Sequence, residues 1–182
     1  MPVRLAFLAA TLALASLPAL AQQTSIPAPA ISVSKTENAA ATYLVQDSVG
    51  DVQLGKLALE KSRNASVRSF AQTLVNDHTQ TFEQGMRAAR TVGATEAKVQ
   101  PSDEAQITLH VLSKNSGSDF DHEFLTDEIS SHQNDIETIR NAVAVTTNPT
   151  LKQAEQNTLQ IDEKHLRLAN QALDEVTRNE QQ

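Results

Sequence analysis

Asn64-Ala65-Ser66-Val67-Arg68-Ser69-Phe70-Ala71-Gln72-Thr73-Leu74-Val75-Asn76-Asp77-His78-Thr79-Gln80-Thr81-Phe82 is the stretch from which the fold is read. Its apolar residues return every three to four positions, at Val67, Phe70, Ala71, Leu74, Val75 and Phe82. That is the period of an amphipathic helix with one face turned to a core. A half-buried strand would alternate every second residue, and this stretch does not. Asn64 suits an N-cap, because its side-chain oxygen can accept the free amide protons of a first helical turn. The pattern continues through Met86 to about Val92, and Gly93 ends it. His78 stands inside the apolar stripe, one turn after Leu74 and one turn before Phe82.

The same spacing extends outward over residues 39–179, with little Gly or Pro inside the segments. A first helix is predicted from about Ala39 to Ser62, with Asn38 as N-cap and Leu44, Val45, Val52 and Leu59 on or beside its inner face. Beyond Gly93, a long connection to Gly117 contains Pro101 and a short periodic piece, Ile107 to Leu112, that suits a small helix. A third long helix opens at Ser118, where Asp121 gives a capping-box-like start. It runs to about Val145 through Phe120, Phe124, Leu125, Ile129, Ile136, Ile139 and Val143. Asn148 as N-cap and Pro149 in the first turn start the fourth, striped by Leu151, Ala154, Thr158, Ile161, Leu168 and Ala172.

The fold class is therefore all-α. Two short links flank one long connection between the second and third long helices. That arrangement fits a ferritin-like four-helix bundle with a long crossover better than an up-down-up-down bundle, whose links are all short. Gly50, Gly55 and Gly85 lie within predicted helices, where each costs up to about 1 kcal/mol relative to Ala. Close helix approach is the modest explanation and room for a ligand the bolder one.

Ahead of the helices the chain begins Met1-Pro2-Val3-Arg4, continues with the apolar run Leu5 to Leu17, and reaches Pro18-Ala19-Leu20-Ala21-Gln22. One positive charge, a short apolar stretch and small residues at Ala19 and Ala21 make a secretory signal peptide over residues 1–21, cleaved after Ala21. The run is shorter than the ~20 residues a bilayer core needs. Residues 22–38, rich in Pro, Ala, Ser and Thr near their start, read as a flexible lead. A periplasmic location and no transmembrane segment in the mature chain are the expectations.

The 182 residues hold no cysteine, which removes both disulfides and thiolate ligands. The net charge is −7, with lysines and arginines dispersed. A basic stripe for a phosphate backbone is missing, so nucleic acid is excluded as a partner.

His132 falls between Ile129 and Ile136, and His165 between Ile161 and Leu168, as His78 does between Leu74 and Phe82. Each is inward by spacing and close to its helix midpoint, so the three imidazoles share one layer whatever the helix directions. Carboxylates stand near them. Asp162 precedes His165 by one turn, Asp77 adjoins His78, Glu128 precedes His132 by four residues, and Asp51 sits near the middle of the first helix. Two readings follow. In the more economical one the histidines pair with Asp51, Asp162 and one another in a polar layer that sets helix register. In the other, His78, His132 and His165, with Asp162, Asp51 or Asp77, hold a divalent metal ion such as zinc, iron, manganese or copper. His110 and His122 fall on less apolar faces and are read as surface residues.

Asp51-Val52-Gln53-Leu54-Gly55-Lys56-Leu57-Ala58-Leu59-Glu60-Lys61-Ser62, Val67-x-x-Phe70-Ala71, Asp77-His78, Phe120-Asp121, His132 and His165-Leu166 together resemble a bacterial family of exported, ferritin-like proteins. It is classed as domain of unknown function 4142 and often labelled putative outer membrane protein. The resemblance spans about Ala41 to Leu173 and implies the fold and export, without an activity. The broader ferritin-like group implies a di-iron centre built on Glu-x-x-His pairs. Here Val75 stands three before His78 and Ile129 three before His132, and only Asp162-x-x-His165 approximates the motif.

Function is expected first as a non-enzymatic binding or stress-related protein, engaging an envelope protein or small ligand. A metal-binding protein is the alternative, and a ferritin-like oxidoreductase the second alternative. No catalytic residue is assigned.

Overall fold

The computed structural model describes residues 30–94 and 99–181. The expected signal peptide and residues 22–29 of the expected lead lie outside them. Among the described residues the chain forms five helices and no strand: α1 Ala30–Lys61, α2 Ala65–Thr91, α3 Asp103–Lys114, α4 Gly117–Val145 and α5 Pro149–Glu180. Among the described residues no helix is long and apolar enough to cross a membrane.

Several ends are set by side chains the sequence names. Asn64 Oδ1 accepts from the amides of Ser66 and Val67, and Asn148 Oδ1 from those of Thr150 and Leu151, satisfying first-turn N–H groups that have no partner within the helix. Gly93 at φ 76° turns the chain out of α2. Two expected caps are not made. The first helix starts at Ala30, so Asn38 lies inside it and its carbonyl accepts from Thr42 Oγ1 at 2.8 Å. The expected flexible lead is thus helical from residue 30 onward, and Glu37 within it contacts Thr147 and Asn148 between α4 and α5. The α4 start lies at Ser116 with no side-chain cap bond, and Asp121 is buried instead of capping.

The α1–α2 and α4–α5 pairs each turn back on themselves across a three-residue link, and α2 packs along α5. Contacts between Ser66 and Glu175, Gln84 and Asn157, and Thr91 and Asn148 make α2 and α5 antiparallel. Glu37 near Thr147 and Tyr43 on Asp135 make α1 and α4 antiparallel as well. Hence α2 and α4 point the same way, and the chain between them must travel back along the length of α1. The α3 helix carries that return. Ala105 lies against Gly50, and Lys61 Nζ donates to the Ser113 carbonyl.

Two apolar clusters form, one at each end. Leu54, Phe70, Leu74, Phe120, Phe124 and Ala172 are central to one. Leu44, Ala88, Ile139 and Leu151 anchor the other. Between them the buried residues are polar: Ser48, Asp51, His78, Thr81, Glu128, His132, Asp135, Thr158, Asp162 and His165.

Gly55 allows the α1–α2 approach. A Cβ there would meet Val75 Cγ2 at 2.8 Å and the Ala71 carbonyl oxygen at 3.0 Å, and the latter is backbone that cannot swing aside. Gly55→Ala is expected to destabilise the fold by about 1–2 kcal/mol, the overpacking cost exceeding the helix-propensity gain. Urea unfolding measures this, and a neutral or stabilising result contradicts the close packing.

Glu37 Oε1 accepts from Thr147 N at 2.7 Å, Thr147 Oγ1 at 2.9 Å and Asn148 N at 2.8 Å, fixing the α4–α5 turn. The Asn148 and Thr147 donors hold its carboxyl below the ordinary range, outweighing burial. A depressed folded pKa stabilises above the unfolded value of about 4.3, and that contribution is lost as pH falls through the folded value. Glu37→Gln should therefore melt below the parent at pH 7 and approach it as pH falls below the ordinary carboxylate range, as followed by helical circular dichroism. A constant gap across that range contradicts the assignment.

Candidate metal centre

His78 from α2, His132 from α4 and His165 from α5 are each fully buried. His78 Nε2 lies 3.2 Å from His165 Nδ1, and His132 Nε2 lies 3.3 Å from the same atom. Asp162 joins from α5, one turn before His165, and one ligand atom of each of the four residues lies within 4.8 Å of all the others. The helix midpoints do share one layer, as the spacing predicts.

The hydrogen bonds behind the rings decide which nitrogens face inward. His132 Nδ1 is 2.8 Å from the Glu128 carbonyl oxygen, which only accepts, so the proton sits on Nδ1 and Nε2 is bare. His165 Nε2–H donates to Asp77 Oδ2 at 2.9 Å, leaving Nδ1 bare. His78 Nδ1 faces Thr81 Oγ1 at 3.4 Å. Thr81 Oγ1 lies 2.9 Å from Ser48 Oγ, which donates to the Leu44 carbonyl. Donation down this chain directs His78 Nε2 to the centre. Each ring is thus oriented from its far side, as histidine ligands of metal sites are.

Charge in the layer is lopsided. Burial drives the His165 imidazole down to about 3, helped by His78 and His132. Burial lowers His132 too. For His78 burial acts the same way, but Asp51 at 3.0 Å, with Asp162 and Asp135, outweighs it and raises the value. Burial lifts Asp162 and Glu128 well above the carboxylate range, with Asp51 adding to both, and raises Asp135 to about 6. Both oxygens of Asp162 and both of Glu128 are buried without a hydrogen-bond donor. Buried acceptors left this way are costly and call for a cation or a proton.

The residues expected from the sequence divide by position. His78, His132, His165 and Asp162 converge. Asp51 touches His78 from the α1 side and belongs to a neighbouring group with Asp47. Asp77 sits behind His165, where it also accepts from Lys164 Nζ at 2.6 Å, and orients the ring instead of facing the centre. Asp47 and Asp135 were not singled out by sequence reading. Each lies one turn from a buried apolar position, Asp47 after Leu44 and Asp135 before Ile139, and that spacing was the available signal. His110 is exposed, as expected.

A family model described as Domain of unknown function (DUF4142) matches residues 20–172. The chain belongs to that family. No curated protein and no solved structure matches it. The match takes in all four converging residues of this DUF4142 member, and the family description attaches no activity to them.

Asp162→Asn should raise the unfolding free energy at neutral pH in the presence of EDTA by roughly 1–3 kcal/mol, since a carboxyl that burial lifts well above the carboxylate range must take up a proton to fold and an amide need not. Chemical denaturation reads this directly, and a loss of stability under those conditions would mean that Asp162 has a partner in the metal-free fold.

Proposed function

We propose that this protein is an exported, periplasmic metal-binding protein whose ferritin-like four-helix bundle holds one divalent transition-metal ion between His78, His132, His165 and Asp162. The bundle reading is supported by the ring of antiparallel neighbours α1–α2–α5–α4 and by the return of the chain through α3 between the parallel α2 and α4. Export is supported by the sequence of residues 1–21 alone.

One observation carries the metal reading: three imidazole nitrogens and a carboxylate without hydrogen-bond donors converge in a dry layer. Ligands about 2.0–2.1 Å from a tetrahedral zinc ion stand ~3.3–3.4 Å apart, and two of the nitrogen pairs here are separated by 3.2 and 3.3 Å. The His132 Nε2 and His165 Nδ1 lone pairs, both bare, face one another at 3.3 Å and repel unless a proton or cation lies between them. A polar layer without metal leaves the Asp162 and Glu128 oxygens unsatisfied, which weakens that reading.

Four protein ligands on a fully buried centre leave no open position for substrate, which favours holding the ion over catalysis. The binding role expected from the sequence thus becomes metal binding. The nitrogen-rich set suits zinc or copper better than the carboxylate-rich di-iron sites of ferritin-like oxidases, which use two Glu-x-x-His pairs. Here His132 is preceded by Glu128 at four residues, not three.

Elemental analysis of the full mature chain purified without chelator tests the proposal. About one equivalent per chain is expected, as for a closed four-ligand site, with most of it lost in His132→Ala. A parent protein free of transition metal after growth in metal-replete medium overturns it.

A further inference from the structure

A fully buried centre needs a way in, and its two sides differ in charge. Toward α2 and α5 the His165 ring and Asp77 close the layer, and the Lys164 ammonium sits on Asp77. Toward α1, α3 and α4 lies a cleft of about 170 Å³, lined by Asp47, Asp51, Glu104, Asp127 and Asp135 and by no lysine or arginine. Its acidic floor is continuous with the centre. Asp51, 5% exposed, lines the cleft and places Oδ2 3.0 Å from His78 Nε2.

The floor has a ligand set of its own. Asp47, Asp51 and His78 offer one atom each within 4.8 Å of one another. The Oδ2 atoms of both aspartates are buried and accept no well-aligned hydrogen bond. Carboxylate oxygens facing a cleft from which water-borne ions arrive, that of Asp47 without a donor and that of Asp51 against His78 Nε2 alone, are suited to a hard or borderline divalent cation. His78 Nε2 belongs to both groups, so an ion on the floor and an ion in the centre compete for the same nitrogen. An ion held by Asp47 and Asp51 can therefore keep His78 while it exchanges the two aspartates for His132, His165 and Asp162.

We propose that the cleft between α1, α3 and α4 is the entry port for a divalent cation, with Asp47, Asp51 and His78 as a holding position on its floor, a proposal that rests on the metal reading above. The acids at the mouth concentrate cations, and Asp47 strips and passes them inward. Entry then depends on Asp47, whereas removing an equal charge elsewhere has little effect.

Stopped-flow uptake of Co²⁺ by the metal-free mature chain, followed by the visible absorption of four-coordinate cobalt, provides the test. Asp47→Asn and Asp127→Asn are compared with Asp174→Asn, which makes the same side-chain change at an exposed position of α5 outside the cleft. Uptake should slow about tenfold in Asp47→Asn and several-fold in Asp127→Asn, a loss of the size that focused electrostatics produces. Asp174→Asn should stay within about twofold of the parent under the same principle. Uptake by Asp47→Asn at the parent rate, with its helical circular dichroism intact, overturns the port while leaving the centre standing. A parent chain that develops no cobalt spectrum overturns the centre, and the port with it.

Discussion

Placing ionisable side chains in the middle of the helices, between two apolar ends, is the constraint on which this structure rests. Three imidazoles and the carboxyls of Glu128 and Asp162 share a layer closed to water, with Asp51 and Asp135 at its edge, where they line the cleft. Charge in such a layer is stabilised only by a partner at contact distance, because solvation is lost and screening is weak. His78 and Asp51 form one such pair. The remaining carboxyls either hold protons or wait for a cation, and the geometry of the imidazoles favours the latter.

The apolar ends hold that layer in register. Phe70, Phe120 and Phe124 pack together at one end, with Phe70 edge-on to the His165 ring. Residues of smaller volume, Ala41, Ala88, Ala89 and Ala154, let the helices approach at the other. Rings that touch rigid packing on one side and a fixed hydrogen-bond acceptor on the other have little freedom to turn. The layer is thus preorganised by its surroundings, which would lower the cost of ordering the ligands of the proposed ion. Asp77 illustrates the division of labour: its carboxylate never faces the layer, yet it selects the tautomer of His165.

Inward-facing positions followed the helical period more closely than they followed hydrophobicity. In α5 the buried row is Thr158, Asp162, His165, Ala169, Ala172 and Val176, while Ile161 and Leu168 lie half-buried beside it. In α2 the row passes through Thr81, Gly85 and Ala88, with Phe82 and Met86 at its edge. Reading by apolar bulk alone puts Ile161 and Phe82 inside because large apolar side chains ordinarily mark the core. A layer devoted to polar groups reverses that ordering locally, and the large residues then cover its margins. The same reversal conceals Asp47 and Asp135, which look like surface acids until the neighbouring helices are in place.

By itself the sequence determined the helical period, the breaks at residues 63–64 and 146–148, the Asn64 and Asn148 caps, and the placing of three histidines at helix midpoints. These are local properties, set by side-chain chemistry within one or two turns. The tertiary structure alone decided which ring nitrogens face one another, that Asp77 lies behind His165 while Asp162 joins the centre, and that Asp47 and Asp51 floor a cleft closed over by α3. Those outcomes depend on the rotation and stagger of one helix against another. Both are set by contacts between residues far apart in the chain, such as Gly55 on Ala71 and Glu37 on Asn148, whose pairing no local pattern encodes.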